Sequence, residues 1–231
     1  EGTQFPVEEA EDIIFNRNIN ESRHEDSHNV IRSYDLLVNK KEMNLLPENA
    51  DVFFDLLITR HRYFMAESSE KKPGEFKDKT NVAGNTVFVD WDRVEGTLSR
   101  AFQFYLLLDC PIKKALFIMF LVAEVHPFID GNGRIARMMM NAELISAGLE
   151  RILVPTCYRD DYLSGLRSIT RNNNFNAYCR MLDRAHHFTA SLNFLSIDET
   201  LQKFKVLDVF EEGSDGRLPE LNYRKNMSVI L

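Results

Sequence analysis

The stretch that decides the fold is "VHPFIDGNGRIAR", Val125 to Arg137, where a histidine, an acid, two glycines and two arginines occur close together. It follows an apolar run, "ALFIMFLVAEV" (115–125), and precedes a second one, "MMMNAELISAGL" (138–149). Both runs are long enough for helices, whereas glycine and asparagine favour a turn. The pattern predicts two helices joined by a short polar loop that carries the chemistry.

The loop and the start of the second helix together predict a phosphate site. Glycine adopts positive φ without steric cost and asparagine tolerates it, so residues 131–133 can turn successive N–H groups toward one point. The following helix adds its own N–H groups and the positive end of its dipole. Arg134 and Arg137 are three residues apart in the predicted first turn, so they share a face and reach the same anion. Because two adjacent cations otherwise repel, a polyphosphate is the anion that fits best.

Two side chains beside the loop add different chemistry. Asp130 directly precedes it and is an oxygen ligand suited to Mg²⁺, which binds one or two carboxylates together with phosphate oxygens. His126 lies on the turn made by Pro127, and histidine, with an ordinary pKa near 6.5, is suited to removing a proton at neutral pH. Phe128 is predicted to anchor the turn in the core.

Each of these features also has an ordinary explanation when taken singly. A histidine near a helix end commonly caps or packs, Gly-x-Gly is a common turn, and two arginines at helical spacing commonly form a solvated face. No third glycine follows Gly133 at the Rossmann spacing, and the sequence has no GxxxxGK[ST] loop. The combination, rather than any member of it, indicates a functional site.

The segment "HPFIDGNGRIAR", from His126 to Arg137, resembles the HPFx[D/E]GNGRxxR motif of Fic-domain proteins at every fixed position. The resemblance extends from about residue 71 to residue 187 and includes "KPGEF" and "RDDYLSGL". It implies a helical core with the motif loop between two helices and a β-hairpin flap nearby. The activity it implies is transfer of AMP from ATP to a Ser, Thr or Tyr hydroxyl of a protein, or of the chain itself.

The resemblance also implies roles for the charged residues of the motif. His126 would be the general base that takes the proton from the target hydroxyl, and Asp130 would hold Mg²⁺ on the phosphates of ATP. Arg134 and Arg137 would bind the β- and γ-phosphates and stabilise the departing pyrophosphate, as positioning and charge neutralisation do in phosphoryl chemistry generally.

Within the loop, the resemblance implies that Gly131, Asn132 and Gly133 cradle the α- and β-phosphates, with Asn132 orienting the α-phosphate. A kinase-like branch of the family often has lysine at the position of Gly133, so the intact loop disfavours simple phosphorylation.

Many members carry an inhibitory [S/T]xxxE[G/N] helix, but "SRHED" from Ser22 has aspartate in place of the glutamate. Inhibition by a separate partner, by trimmed residues or by a divergent helix stays open, as does its absence.

Two further sites follow from the resemblance. The segment "NTVFVDW" (85–91) suits a short strand, and its members Thr86, Val87, Phe88 and Val89 occupy the place of a flap that docks an extended target segment. A small structural hairpin is the alternative. Tyr162 and Leu166 resemble the adenine-side helix, although such residues at helical spacing are also typical of core. Lys77 stands after "GEF", where many members have arginine.

The rest of the chain predicts an all-α protein with one short hairpin. We expect an N-terminal helical extension packed on the core (1–68), a Fic domain (69–190) and a C-terminal helical or irregular tail (191–231) that contains the turn-rich "EEGSDGRLPE". An amphipathic helix is predicted in "LPENADVFFDLLITRHRYFM" (46–65), with Pro47 near its start.

Composition limits the function classes. The 231 residues carry a net charge of -7, which argues against a nucleic-acid binder, and no apolar run is long enough to span a bilayer. The three cysteines form neither a metal pattern nor a disulfide framework, so we expect reduced, mostly buried thiols and a cytoplasmic location. Besides adenylyl transfer, two hypotheses stay open: the same site with another nucleotide donor or removing AMP, and a non-catalytic nucleotide-binding regulator, against which His126 argues.

Overall fold

The computed structural model of the protein describes residues 5–207 and 209–210. Within that part of the chain the secondary structure is helical except for one two-stranded hairpin, which confirms the all-α class. The chain divides into two compact units that meet in sequence between Gly148 and Leu149. The domain limits expected at residues 68/69 and 190/191 stay predictions.

The first unit carries the motif. Its α-helices are α1 Val7–Glu11, α2 His24–Val38, α3 Lys40–Met43, α4 Ala50–Phe64, α5 Val94–Leu106, α6 Pro111–Val125 and α7 Asn132–Ser146. A π-helical turn covers Asp12–Asn16, and 3-10 turns cover Glu21–Arg23, Ser69–Lys71 and Trp91–Arg93. The hairpin pairs β1 (Val82–Ala83) with β2 (Thr86–Val87) in antiparallel register, Val82 opposite Val87. The predicted strand in "NTVFVDW" is therefore two residues long.

Helix α4 forms where the apolar periodicity predicts it. It begins after Asn49, whose side chain accepts the N–H of Val52 at 3.0 Å and so caps the helix. Pro47 precedes that cap rather than lying in the first turn. Phe53 and Leu57 are fully buried, and the ring of Phe53 stacks on Phe102 of α5 with 4.7 Å between centroids.

Helices α6 and α7 form the centre of this unit. Pro111 begins α6, where its fixed φ suits the first helical position, and Gly148 follows α7 with a φ of +70°. Eight of the fifteen residues of α6 and ten of the fifteen of α7 are buried, so both helices are interior. The loop between them is short, and the two helices therefore pack against each other as neighbours. Helix α5 also contacts α6, and α4 contacts α7.

Arg60 of α4 is a buried cation that ties α3 to this core. Its side chain is 1% exposed, and its Nε donates to the Glu42 carboxylate at 3.0 Å. Nη2 donates to the carbonyls of Glu42 and Leu45 at 2.8 and 2.9 Å, and Nη1 lies 3.1 Å from the sulfur of Met139 in α7. Burial lowers the pKa of Arg60, and the Glu42 carboxylate opposes that shift.

We expect Arg60→Ala to lower the free energy of unfolding by about 3 kcal/mol, because it removes a fully packed side chain and leaves two carbonyls and a partly buried carboxylate without their donor. Urea denaturation measures the change. The exposed Arg62 on the same helix is the matched control, and Arg62→Ala should change stability by less than about 0.5 kcal/mol. Equal effects of the two substitutions would contradict the anchoring role.

The second unit contains a 3-10 turn, Thr156–Tyr158, and three described helices, α8 Arg159–Asn172, α9 Asn176–Ala190 and α10 Ile197–Val206. Helices α8 and α9 pack on each other. "EEGSDGRLPE" lies outside the described residues. The three cysteines, which all lie among the described residues, form no disulfide. Only Cys157 is buried, so the expectation of mostly buried thiols is met by one of them. No helix in the described part of the chain is long and apolar enough to cross a bilayer.

Candidate active site

The motif loop, residues 126–131, reverses the chain between α6 and α7 with a left-handed residue at each end. His126 ends α6 with a φ of 53°, and Gly131 precedes α7 with a φ of 72°. Positive φ is uncommon for a residue other than glycine, so His126 is held by its surroundings in a conformation that histidine adopts rarely. The candidate base is therefore fixed at its backbone by the loop itself.

Helix α7 begins two residues earlier than the sequence predicts. Asn132 and Gly133 lie in its first turn, and of residues 131–133 only Gly131 has positive φ. Arg137 therefore lies in the second turn rather than the first. A Cβ on Gly131 would lie 3.1 Å from the Phe64 ring and 3.2 Å from the Met65 sulfur, so a larger residue would be crowded as well as strained by the positive φ. The arrangement is a helix N-terminus, whose first N–H groups have no partner within the helix, rather than a freestanding glycine nest.

The side chain of Asn132 braces the loop from inside. It is 2% exposed; its Oδ1 accepts the N–H of Phe128 and its Nδ2 donates to the carbonyl of Phe128, both at 2.8 Å. Phe128 is fully buried, as predicted for an anchor. The predicted role of the Asn132 side chain at the α-phosphate is untested, but both polar atoms of this amide already bond within the loop.

His61 of α4 holds the far end of the loop, and sequence reasoning missed it. Its side chain is fully buried; Nδ1 accepts the N–H of Gly74 at 2.9 Å, and Nε2 lies 3.0 Å from the carbonyl of Asp130. Because a carbonyl only accepts, Nε2 carries the proton and the ring is neutral. The imidazole stacks on Phe128 with 3.7 Å between centroids. The signal in the sequence was a histidine on the apolar face of α4, at helical spacing from Phe53 and Leu57, where a polar side chain needs a buried partner.

Lys77 and Asn81, which both precede the hairpin in the chain, complete the support of the loop. Lys77 is 2% exposed, and its Nζ and backbone N–H donate to the carbonyls of Val125 and Pro127 at 3.3 and 2.8 Å. Burial lowers the pKa of Lys77 to about 8, against an opposing effect of Asp90. The amide of Asn81 donates to the carbonyl of Phe128 at 2.8 Å. The loop carbonyls are thus held by side chains from outside the motif.

The imidazole of His126 is partly exposed, and its Nδ1 lies 3.3 Å from the carbonyl of Ala123. Because a carbonyl only accepts, this contact favours the tautomer with the proton on Nδ1, in which Nε2 carries the lone pair. The ring of Phe88 stacks on the imidazole at 3.8 Å. The tautomer is the one that a general base requires.

The charged residues lie where α7 begins. Asp130 Oδ1 accepts the N–H of Gly131 at 2.6 Å, and its Oδ2 is 4.0 Å from Nη2 of Arg134. The Arg134 side chain is 14% exposed, and its guanidinium lies over the Phe64 ring at 5.2 Å. Arg137 follows three residues later and is partly exposed. The acid and both arginines are therefore close to the same helix end.

The predicted flap and adenine residues lie in different parts of the chain. Thr86 and Val87 form β2 of the hairpin, Val87 is exposed, and Phe88 and Val89 follow the strand. Tyr162 and Leu166 lie on α8 of the second unit, where the Tyr162 ring is buried and packs 6.3 Å from the Tyr178 ring of α9. Docking by the hairpin and adenine binding by α8 stay predictions.

The buried His61 predicts an acid-sensitive fold. Burial lowers the pKa of His61 to about 4, with the bond to Asp130 opposing the shift, whereas an unfolded histidine takes up its proton near pH 6.5. Between these values the unfolded state binds more protons, so this contribution to stability is full above pH 6.5 and is lost as the pH falls toward 4. From pH 7 to pH 4.5 we expect a loss of about 2 kcal/mol from this group.

Urea unfolding of the ligand-free protein at the two pH values measures this loss, and His61→Gln isolates it, since other acid-sensitive groups remain in both proteins. The variant should be less stable at pH 7 but should lose about 2 kcal/mol less on acidification. An identical pH dependence in the two proteins would show that His61 is not the group responsible.

Asp130 is the residue that fits a magnesium ion. Its carboxylate is about half exposed and provides hard oxygen donors beside a helix N-terminus. No cluster of three or more His, Cys, Asp or Glu side chains able to hold a metal occurs among the described residues. A single carboxylate suits Mg²⁺ that is held jointly with phosphate oxygens and water, and does not suit an ion caged by protein alone.

Comparison with known proteins gives the same picture. The Fic/DOC family model matches residues 52–144, a span that includes the hairpin and the motif. The chain is 23% identical over 227 residues to protein adenylyltransferase Fic of Drosophila yakuba and 22% identical over 236 residues to that of Drosophila willistoni. These alignments cover 96% and 99% of this chain but 45% and 46% of the relatives. The chain thus spans a little under half the length of these curated relatives.

Solved structures of Fic proteins share the fold. Residues 134–508 of Fic-1 from C. elegans align with a TM-score of 0.64 and 19% identity, covering 89% of this chain and 60% of that one. A Fic domain containing signaling protein from Bacteroides thetaiotaomicron aligns with a TM-score of 0.65 and 18% identity, covering 83% of each chain. These likenesses show that the chain has the fold of Fic proteins, and the Fic/DOC family model matches its residues 52–144.

Proposed function

We propose that this protein transfers AMP from ATP to a Ser, Thr or Tyr hydroxyl of a target protein or of itself. The observation that carries the proposal is the juxtaposition, at one short loop, of a histidine whose Nδ1 faces a backbone carbonyl and a helix N-terminus whose first turns contain two arginines. The names of the curated relatives support the same reaction class.

The reaction needs one proton acceptor and one anion site, and the loop contains residues suited to both. The hydroxyl oxygen of the target attacks the α-phosphorus, its proton passes to Nε2 of His126, and the bond to the bridging oxygen breaks to release pyrophosphate. Negative charge grows on the β- and γ-phosphates as that bond breaks. The N–H groups at the start of α7, together with Arg134 and Arg137, would stabilise this charge.

Asp130 would hold Mg²⁺ together with the phosphates. The bound ion would neutralise phosphate charge and orient the triphosphate. The Oδ1 of Asp130 already accepts the N–H of Gly131, which orients the carboxylate and leaves Oδ2 toward Arg134. Asp130 thus provides one oriented oxygen ligand. Phosphate oxygens and water would complete the coordination of Mg²⁺, so a second ligand side chain from the protein is not required.

The braced loop supports catalysis rather than nucleotide storage. The carbonyls of Phe128 and Asp130 are held by Asn132, Asn81 and His61, so the loop needs little reorganisation when ATP binds. Preorganised dipoles act most strongly on charge that develops in the transition state. Binding alone requires neither this rigidity nor a base beside the phosphates.

Labelling with two forms of ATP tests the proposal. The purified chain is incubated with Mg²⁺ and a host lysate, once with ATP labelled on the α-phosphate and once with ATP labelled on the γ-phosphate. Adenylyl transfer predicts α-label in a protein band, its own or another, with no γ-label; phosphorylation predicts the reverse. Intact-mass spectrometry with each nucleoside triphosphate then identifies the donor and the modified residue.

The remaining hypotheses predict other outcomes of the same experiment. Labelling from a different nucleotide would change the donor and leave the site. ATP binding measured by titration calorimetry, with no label in any protein and no pyrophosphate released, would favour the non-catalytic regulator and overturn the proposal. Loss of label from a previously modified protein on adding the chain would indicate AMP removal.

A further inference from the structure

A stacked pair of rings joins the hairpin to the candidate base. Phe88 follows β2, and its ring lies almost parallel to the imidazole of His126, with 3.8 Å between centroids and 13° between the planes. The N–H of Phe88 donates to the carbonyl of Asn81 at 3.1 Å, and the Asn81 amide in turn donates to the carbonyl of Phe128. The phenyl ring is therefore held by the same bonds that attach the hairpin to the motif loop.

The stack adds to a backbone contact of the imidazole that is itself long. Nδ1 of His126 lies 3.3 Å from the carbonyl of Ala123, beyond the usual range for N–H···O bonds, so this bond restrains the ring only weakly. The second side-chain torsion of histidine is also broad. Rotation about it swings Nε2 away from any acceptor hydroxyl. A parallel aromatic ring at contact distance opposes that rotation, because turning one ring breaks the contact.

The phenyl ring is itself supported from the core. The Nζ of the buried Lys77 lies 6.0 Å from its centroid, at the limit of a cation–π interaction. Lys77 also holds two carbonyls on either side of His126 through its own N–H and its Nζ. The stack therefore rests on residues that already fix the loop.

We propose that Phe88 is a positioning residue whose ring holds the imidazole plane of His126, so that the hairpin sets the direction of the Nε2 lone pair. The inference rests on the proposed function, in which His126 is the base. It assigns Phe88 a role other than docking, because docking by strand addition uses backbone groups of the strand whereas this contact uses the Phe88 ring. Loss of the ring should therefore lower kcat rather than raise KM.

NMR spectroscopy of the free protein tests the contact without any substrate. Stacking places the ring protons of His126 over the face of Phe88, so their resonances should be shifted upfield by the phenyl ring current. His126→Gln identifies the resonances by removing them. Phe88→Leu should abolish the upfield shift, and Phe88→Tyr, which keeps the aromatic face, should preserve it. An unshifted His126 signal in the wild-type protein overturns the inference.

Kinetics tests the consequence. With the acceptor found by α-label, Phe88→Leu should lower kcat on the order of tenfold while KM stays within about twofold, and Phe88→Tyr should stay close to wild type. Phe104→Leu is the matched control, the same substitution at an exposed phenylalanine of α5, and should leave kcat unchanged. An unchanged kcat in Phe88→Leu, or an equal loss in Phe88→Tyr, overturns the positioning role.

The two proposals fail in distinguishable ways. If the wild-type chain transfers no AMP, or His126→Ala is fully active, the proposed function fails whatever the NMR spectra show. If transfer depends on His126 but Phe88→Leu keeps kcat or raises only KM, the function stands and the inference fails. Thermal unfolding of Phe88→Leu, compared with Phe104→Leu, shows whether any loss of kcat accompanies a loss of folded protein.

Discussion

Replacing His126 with alanine is expected to lower the rate constant of AMP transfer by roughly 10²–10⁴-fold, the range that a positioned general base contributes. The imidazole is the side chain of the motif loop suited to accept a proton near neutral pH, and it is not among the residues proposed to bind phosphate. Its loss removes the proton acceptor and leaves the N-terminus of α7 intact. The rate is measured as α-label incorporated at saturating Mg-ATP.

The binding of ATP separates this prediction from a general loss of structure. Because Gly131, Asn132 and the two arginines remain in place, the dissociation constant of ATP measured by calorimetry should change by less than about threefold in His126→Ala. His24 is exposed on α2, and His24→Ala serves as the matched control with wild-type activity. A His126→Ala variant with more than a tenth of the wild-type rate would exclude the base role.

The parts of the site that sequence predicts are those whose determinants are local. Two long apolar runs around a glycine-containing turn specify α6, the loop and α7, and Phe128 is buried as expected. The hairpin and the amphipathic α4 follow from patterns within about twenty residues. The start of α7 was misplaced by two residues, because a single left-handed glycine suffices for the turn and lets Asn132 and Gly133 join the helix.

The support of the loop was not predictable in the same way, since it depends on contacts between distant segments. His61 is 69 residues before Asp130 in the chain, and Asn81 is 47 residues before Phe128. A buried polar side chain reveals its partner only when the helices are packed, although a histidine on the apolar stripe of α4 was a visible anomaly. Lys77 is marked in the sequence by its place after "GEF", but its hydrogen bonds to the carbonyls on either side of His126 follow from tertiary structure alone.

Asn132 provides the sharpest test of whether the motif binds phosphate with its side chains or with its backbone. Its amide forms a two-bond clamp on Phe128, with one accepted and one donated hydrogen bond of 2.8 Å, inside a loop where it is 2% exposed. If that clamp is the role of the Asn132 side chain, replacing the residue changes the shape of the loop. If instead the amide contacts the α-phosphate, replacing the residue weakens the binding of the nucleotide.

We expect Asn132→Ala to lower the free energy of unfolding by roughly 2–4 kcal/mol, because the buried N–H and carbonyl of Phe128 both lose a partner. The transfer rate should fall on the order of 10²-fold, since the loop that aims His126 and Gly131 shifts. Asn132→Asp should be as damaging, because a carboxylate still accepts the N–H but faces the Phe128 carbonyl without a proton to donate. Urea denaturation and single-turnover labelling measure the two effects, with the exposed Asn172→Ala on α8 as control. A variant of normal stability whose only defect is weaker ATP binding would instead place the amide on the phosphate, and the clamp would then contribute little to the fold.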